Sequence, residues 1–357
     1  MRFAVIGLIG CLGLGTHPAF ADKACRKTNN ETRADANWQR FKFEQRHMGV
    51  LFAITLYASD KSTANDASNA AFRQIAELNR IMSDYDPNSE LMRLCRNSGP
   101  GKPVRVSRDL LIVLQRSIGL SCKTGGAFDI TVGPIVKLWR RARRRKELPT
   151  DKRLNAAKQL VGYRNIVIDV CAQTVELRKK GMKLDLGGIA KGYAADAALS
   201  ELRKLGITRA LIDASGDIVA GDPPPGKPAW KVAIAPLVDP EANPTIYLAL
   251  SNAAVATSGD AFQFVEIDGI RYSHIVDPQT GMGLTTHSSV TVIARNATKA
   301  DSLASAVSVL GPQRGLSLIE GICESAVLIH VIRDGQFKSF RSRRFHQEQF
   351  GVKAPQP

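Results

Sequence analysis

Leu184-Asp185-Leu186-Gly187-Gly188-Ile189-Ala190-Lys191-Gly192-Tyr193 is the stretch that governs how this chain is read. An apolar segment, read as a strand end, carries one aspartate, runs into paired glycines and opens a helix with a lysine in its first turns. Glycines allow close backbone approach, a helix N-terminus offers free N–H donors, and the lysine adds charge. Together these suit a nucleotide pyrophosphate. Neither G-x-x-x-x-G-K-[ST] nor G-x-G-x-x-G is present, so the common phosphate motifs do not apply. Alone, the segment is equally a tight strand-to-helix turn. Its company along the chain decides.

Outward from it, residues 189–205 read as a helix stopped at Gly206. Residues 48–57 read as a strand, and residues 64–82 as a helix with Ala67, Ala71, Ile75, Leu78 and Met82 on one stripe. Asp86-Pro87-Asn88-Ser89 is a turn, and residues 110–122 form a second amphipathic helix closed by Gly125-Gly126. Residues 161–168 and 174–177 read as a hairpin pair, and residues 210–212, 230–235, 245–250, 263–267 and 290–294 as further strands. A late helix over 298–310 ends at Gly311-Pro312. Strands and helices are interspersed without strict alternation, which predicts a mixed, layered α+β domain.

The 357 residues are 44% apolar, enough for a substantial core. The start resembles a secretory signal: Met1-Arg2, an apolar run, then Ala19-Phe20-Ala21 as a cleavage site. The expected organisation is a signal peptide at 1–21, a loose leader at 22–40, the folded domain at 41–345 and a polar tail at 346–357. Leu8-Ile9-Gly10-Cys11 also resembles a bacterial lipoprotein box, with Cys11 as the anchor; simple cleavage is favoured because that cysteine falls early. Both routes are expected to place the protein outside the cytoplasm, in a bacterial periplasm. The remaining cysteines, Cys25, Cys95, Cys122, Cys171 and Cys323, show no zinc spacing, and buried free thiols or one bridge are expected. The formal charge is +16. A dense run from Arg140 to Lys146 contributes to it, and such a run is usually a solvated helix face or loop. With no nucleic-acid-binding motif and an export signal, it points to an anionic protein partner or membrane surface and not to nucleic acid.

Four other segments carry chemistry, each with a plainer alternative. Gly125-Gly126-Ala127-Phe128-Asp129 would line a planar ring and bond its edge, or else form a capped loop over a buried Phe128. Tyr272-Ser273-His274-Ile275-Val276-Asp277-Pro278 ends a strand in a proline turn, and His274 is one of six histidines able to act as a base near neutrality. Thr257-Ser258-Gly259-Asp260 is a polar turn that would bond a ligand or cap the next segment. Asp301 and Ser305 lie four apart on the late helix, so both oxygens share a face that suits Mg²⁺. The plainer reading makes Thr298 to Asp301 a capping box.

In order, Met48-Gly49, Y-D-P-N-S-E-L (85–91), G-A-F-D-I-T-V-G-P, L-D-L-G-G-I-A-K-G-Y-A-A-D, D-A-S-G-D-I, T-S-G-D, Y-S-H-I-V-D-P-Q-T-G and the A-D-S-L-A-S-A helix resemble the ApbE family of FAD:protein FMN transferases. The resemblance spans about residues 45–330 and implies an ApbE-like domain related to the T-fold. It implies FAD, the substrate, against Met48, Tyr85, Ala127, Phe128, Asp129, Asp185, Lys191 and the backbone near Val276. It also implies Mg²⁺ at the Gly188 carbonyl, Asp301 and Ser305, with a contribution near Ala304, and proton transfer by His274. Three departures stand out: Met-Gly-Val replaces the commoner Met-Gly-Thr, Ser305 replaces threonine, and Ser215 replaces a frequent glycine. Ala304 supplies no side-chain ligand.

The activity so implied moves FMN from FAD to a Ser or Thr hydroxyl of an acceptor protein and releases AMP. Catalysis would rest on His274, Asp301 and Lys191. The implied acceptors are exported or membrane-anchored parts of respiratory electron-transfer complexes. Two alternatives remain at this level: FAD hydrolysis to FMN and AMP, and FAD binding without turnover.

Overall fold

A two-residue turn starts the main sheet. Met48 and Gly49 have φ of 50° and 76°, the pair of positive values that a type I′ hairpin turn requires. They join β1 (Gln39–His47) to β2 (Val50–Ala58), with His47 opposite Val50. The strand expected over 48–57 therefore begins two residues later. β1 escaped the sequence reading because most of its side chains are exposed and polar, and it overlaps the end of the segment taken as a leader.

The computed structural model describes residues 38–239 and 242–346. The expected signal peptide, Cys11, Cys25, the leader up to residue 37 and the tail from residue 347 lie outside the described residues.

Seven helices are present among the described residues: α1 (Lys61–Met82), α2 (Glu90–Asn97), α3 (Arg108–Lys123), α4 (Gly133–Arg145), α5 (Asp151–Lys158), α6 (Ala190–Lys204) and α7 (Ala297–Glu320). The remaining strands are β3 (Val104–Arg105), β4 (Ile166–Asp169), β5 (Thr174–Leu177), β6 (Ala210–Ala214), β7 (Ile218–Ala220), β8 (Trp230–Ile234), β9 (Ile246–Leu250), β10 (Ala253–Gly259), β11 (Phe264–Ile267), β12 (Ile270–Ser273), β13 (His287–Ala294), β14 (Ser325–Arg333) and β15 (Gln336–Arg341). An eight-stranded sheet runs β1-β2-β6-β7-β10-β13-β14-β15, and its neighbouring strands pair antiparallel. The architecture is α+β, as expected.

Period-two alternation separates the faces of this sheet. Ala254, Ala256, Val290, Val292, Val327 and Ile329 face the main core with α1, α6 and α7. Val255, Ile293, Ala326 and Leu328 point the other way, onto the β8–β9 hairpin with Trp230, Val232 and Leu250. A satellite cluster joins α4, α5 and the β11–β12 hairpin through Ile135, Trp139, Leu154, Val265 and Tyr272. Trp139 Nε1 donates to the Gly281 carbonyl at 2.8 Å and ties this cluster to the proline turn after His274.

Caps fix the two helices that matter most. Asp196 of α6 accepts from Ala297 N at 2.8 Å, Thr298 N at 2.9 Å and Thr298 Oγ1 at 2.5 Å. Asn296 accepts from Lys299 N at 2.9 Å. One helix thus satisfies the free N–H groups of the other's first turn, which locks their relative position. The late helix does not stop at Gly311: the backbone breaks there, with φ 72°, and helix resumes through Pro312 to Glu320. Of the four described cysteines, all free, only Cys95 is buried; Cys122, Cys171 and Cys323 are exposed, against the expectation of buried thiols. No helix among the described residues is long and apolar enough to cross a membrane.

Candidate active site

The glycine stretch is not a strand. Residues 182–186 carry no regular secondary structure, and helix begins at Ala190. Ordinary packing holds the segment in place: Leu184 N donates to Cys95 Sγ at 3.3 Å, and Asp185 N donates to the Ile130 carbonyl at 2.8 Å. Leu184 and Leu186 are buried.

α6 and α7 meet where both begin. A Cβ placed on Gly192 would lie 2.3 Å from the Ala297 carbonyl oxygen and 2.9 Å from Asp301 Cβ. Only glycine permits that approach. Gly192 N donates to Asp301 Oδ2 at 3.1 Å. Asp301 therefore does not close a capping box on its own helix; Asn296 and Asp196 cap α7, and Asp301 faces α6. A Cβ on Gly188 would lie 2.8 Å from Ser305 Oγ and 3.3 Å from Phe128 Cε2. Ser258 Oγ of β10 stands 3.5 Å from Ser305 Oγ. Gly188, Asp301, Ser305, Phe128 and the T-S-G-D segment thus converge, and Ala304 is fully buried beside them.

The electrostatics of this junction are unbalanced. Lys191 forms an ion pair with Asp217, on the β6–β7 turn, and Asp301 also acts on it. Burial works against the ammonium, yet the two carboxylates hold its pKa above the ordinary lysine value. Asp301 is pushed up to about 7, first by burial and then by the charge of Asp217, with Lys191 opposing. Burial likewise raises Asp217. Two buried carboxylates share one lysine, so the site favours either a proton or a further cation.

A second group surrounds the aspartate of the glycine stretch. Asp185 Oδ1 accepts from Gly187 N at 2.8 Å. Arg140 donates from one nitrogen to Asp185 Oδ2 at 3.2 Å and from another to Asp84 Oδ2 at 2.5 Å. Its guanidinium lies 4.1 Å from the centroid of the Tyr85 ring, which is 75% exposed. Burial, then the charge of Asp84, raises the Asp185 pKa, with the Gly187 N–H and Arg140 opposing. Sequence reading missed Arg140 because it sits inside a run of cations that otherwise points to solvent. The available signal was its place beside Trp139, the aromatic that α4 buries.

His274 directly follows β12. Its Nδ1 lies 3.2 Å from the Gln263 carbonyl oxygen. That contact requires Nδ1–H in the neutral ring and leaves the Nε2 lone pair free. The side chain is open to solvent on one side, yet the protein beside it lowers its pKa below the ordinary histidine value, and the charges of Arg143 and Lys191 act the same way. His274 is thus a neutral base at the edge of the site, electrostatically coupled to Lys191.

Other residues named from the sequence fall differently. Asp129 commits both oxygens within the protein: Oδ1 accepts from Thr131 N at 2.8 Å and Thr131 Oγ1 at 2.6 Å in its own loop, and Oδ2 accepts from Tyr163 N of a distant segment at 2.9 Å. Its carboxylate shapes the loop that presents Ala127 and Phe128. Asp260 is a buried hub bonded to Arg271, His287 and Ser288, and Thr257 to Gly259 belong to β10, so T-S-G-D is no simple turn. Met48 sits in the hairpin turn at the sheet end where Ser215 Oγ donates to the Leu51 carbonyl at 3.0 Å, next to the turn bearing Asp217. Ser215 adopts φ 56°, a left-handed conformation that glycine holds at lower cost. Val276 packs in the satellite cluster, its backbone bridged to Gly283.

Among the described residues, no group of three or more His, Cys, Asp or Glu side chains gathers for a metal. What the junction brings together instead is the Asp301 carboxylate, the Ser305 hydroxyl and the backbone at Gly188, whose carbonyl the family resemblance adds to the set. Those all-oxygen donors, with an uncompensated negative charge, fit Mg²⁺ that takes its remaining ligands from phosphate and water.

Fold and site together define an α+β enzyme whose glycine-opened helix, ion-paired lysine and oxygen donors meet at one end of an antiparallel sheet. The chain belongs to the ApbE family, which it matches over residues 48–329. A FAD:protein FMN transferase of Vibrio cholerae serotype O1 is 36% identical over 278 residues, 76% of this chain and 81% of the relative. One from Salmonella typhimurium is 30% identical over 342 residues, covering 94% and 96%. The solved flavin transferase ApbE from Vibrio cholerae superposes with a TM-score of 0.78 at 31% identity, over 88% of this chain and 99% of that one. The flavinyl transferase ApbE of Pseudomonas stutzeri gives 0.77 at 27% identity, over 89% and 98%.

Proposed function

We propose that this chain transfers the FMN part of FAD to a protein hydroxyl and releases AMP, with Mg²⁺ bound at Gly188, Asp301 and Ser305. The observation that carries the reading is the α6–α7 junction, where Gly188 meets Ser305 and Gly192 meets Asp301. The transferase names of its relatives agree with it. A Ser or Thr oxygen of the acceptor attacks the FMN-side phosphorus. The new O–P bond replaces the bond to the AMP oxygen, and the proton passes to Nε2 of His274. Lys191 holds positive charge beside the diphosphate oxygens, and the α6 N-terminus adds N–H donors. Bound Mg²⁺ would neutralise charge on those oxygens as the leaving group departs. Asp185 and the Arg140–Tyr85 pair border the flavin nucleotide, and the Ala127-Phe128 loop with Met48 forms further walls.

The acceptor is read as a part of a respiratory electron-transfer complex outside the cytoplasm. Export through the signal at residues 1–21 places this enzyme in the same compartment, and Cys11 lipidation would add a membrane anchor. Because His274 is exposed, water also reaches the base, so slow FAD hydrolysis is expected without acceptor. Incubation with FAD and Mg²⁺, with and without an acceptor protein, tests both by covalent flavin fluorescence in a denaturing gel. Labelled acceptor supports transfer; AMP release that acceptor never diverts supports hydrolysis.

A further inference from the structure

Apart from Arg140, the basic run of α4 is left unused by the chemistry above. α4 buries Ile135, Trp139 and Ala142 in the satellite cluster, which leaves Arg143, Arg144 and Arg145 exposed, with Lys146 just beyond. Among the described residues, none of these four forms an ion pair with a carboxylate. Repulsion from Arg145 and Arg153 lowers the pKa of Arg141 beside them. A helix C-terminus favours cations in its last turn, but that does not explain what stands opposite. Arg140, Arg143, Arg144 and Lys146 line a cleft of about 640 Å³ with Tyr85, Phe264, Val265 and one acid, Glu266, so four cations stand against a single carboxylate. Tyr85 is 75% exposed and Phe264 37%, with the Arg271 guanidinium over one face of the Phe264 ring. Cations alternating with accessible rings offer charge pairing and apolar contact to one chain segment.

The cleft leads into the site. Arg140 on its wall bonds Asp185, whose other oxygen accepts from Gly187 N at the glycine turn. Arg143 on the same wall acts electrostatically on His274. We propose that this cleft is the docking groove for the acceptor protein, taking a segment in which acidic residues flank the hydroxyl that receives FMN. The proposal rests on the transfer reading above and leaves its bond changes as written there. A lipid surface would meet a convex cationic face; these cations line a groove with rings between them.

The test compares wild type with Arg144→Gln/Arg145→Gln/Lys146→Gln and with Arg144→Lys/Arg145→Lys. The probes are a fluorescein-labelled peptide with a central threonine flanked by aspartates, the same peptide with lysines in place of aspartates, and phosphatidylglycerol vesicles. FAD affinity, FAD hydrolysis and melting temperature are read on every protein. The aspartate peptide should bind wild type and the lysine-substituted protein, lose about tenfold in affinity to the glutamine variant, and weaken as salt shortens the reach of the charges. The lysine peptide should not bind, and FAD affinity should stay constant. Equal binding of the aspartate peptide to the glutamine variant overturns the proposal. So does vesicle binding that depends on these three residues while peptide binding does not. Absence of FAD binding in wild type instead removes the transfer reading, and the peptide comparison still decides whether the groove is acid-selective.

Discussion

Gly188, on the turn before α6, and Ser305, in α7, are packed so closely that a single added methyl would come within 2.8 Å of the serine oxygen. The contact joins two segments more than a hundred residues apart and sets the width of the proposed metal site. Gly188→Ala should push Ser305 and Phe128 aside. Overpacking of this kind costs about 1–3 kcal/mol, and flavin transfer should fall at least tenfold, roughly the effect of a misplaced ligand. Thermal melts and single-turnover flavinylation check both numbers.

Asp301 makes stability depend on pH in an unusual direction. Its folded pKa is about 7, against about 3.9 in an unfolded chain. Its favourable contribution is complete below the unfolded value and is lost as pH rises towards 7, by on the order of 4 kcal/mol. The metal-free protein should therefore melt lower at pH 8 than at pH 5, and Asp301→Asn should flatten that slope. Magnesium binding should release a proton below pH 7 and tighten as pH rises to that point. Calorimetric titration in two buffers of different ionisation enthalpy counts the proton.

His274 should govern the acid limb of the rate. Its pKa is lowered, so transfer should stay near its maximum at neutral pH and decline only below the ordinary histidine range. His274→Gln should slow transfer by roughly 10²–10⁴, the usual contribution of a positioned base, with FAD affinity nearly unchanged. Rate profiles against pH with saturating FAD make the comparison.

Arg140 holds two carboxylates and an aromatic ring at once. Arg140→Met leaves Asp84 and Asp185 without their shared counter-charge, which should weaken FAD binding about tenfold and destabilise the fold by about 2 kcal/mol, the scale of hydrogen bonds to charged groups. Arg140→Lys should recover little, since a point charge cannot reproduce the two-pronged contact. Flavin fluorescence titration reads the affinity.

Much of this was legible in the sequence, for identifiable reasons. α1 follows its apolar stripe, with Ala64 and Phe72 joining the predicted positions. The glycines of the 184–193 stretch mark a true close approach, because Gly188 and Gly192 each abut α7. Asp301 was ambiguous, since a cap and an inward-facing carboxylate share the pattern Thr298 to Asp301; only the partner helix distinguishes them. Asp129 looked like a ligand group because sequence cannot show Tyr163 N folding onto its second oxygen. Arg140 hid among like charges, since a run of arginines does not reveal which one turns inward. The end of β10, from Thr257 to Gly259, was read as a small turn because Gly259, demanded by a Ser288 carbonyl 2.2 Å from where its Cβ would be, resembles a break.

The most direct test of the shared site replaces Mg²⁺ with paramagnetic Mn²⁺ and follows the diphosphate phosphorus resonances of protein-bound FAD. The account predicts that both resonances broaden at substoichiometric metal in the wild type and recover in Asp301→Ala with FAD still bound. Equal broadening in the variant, or none in either protein, would contradict it.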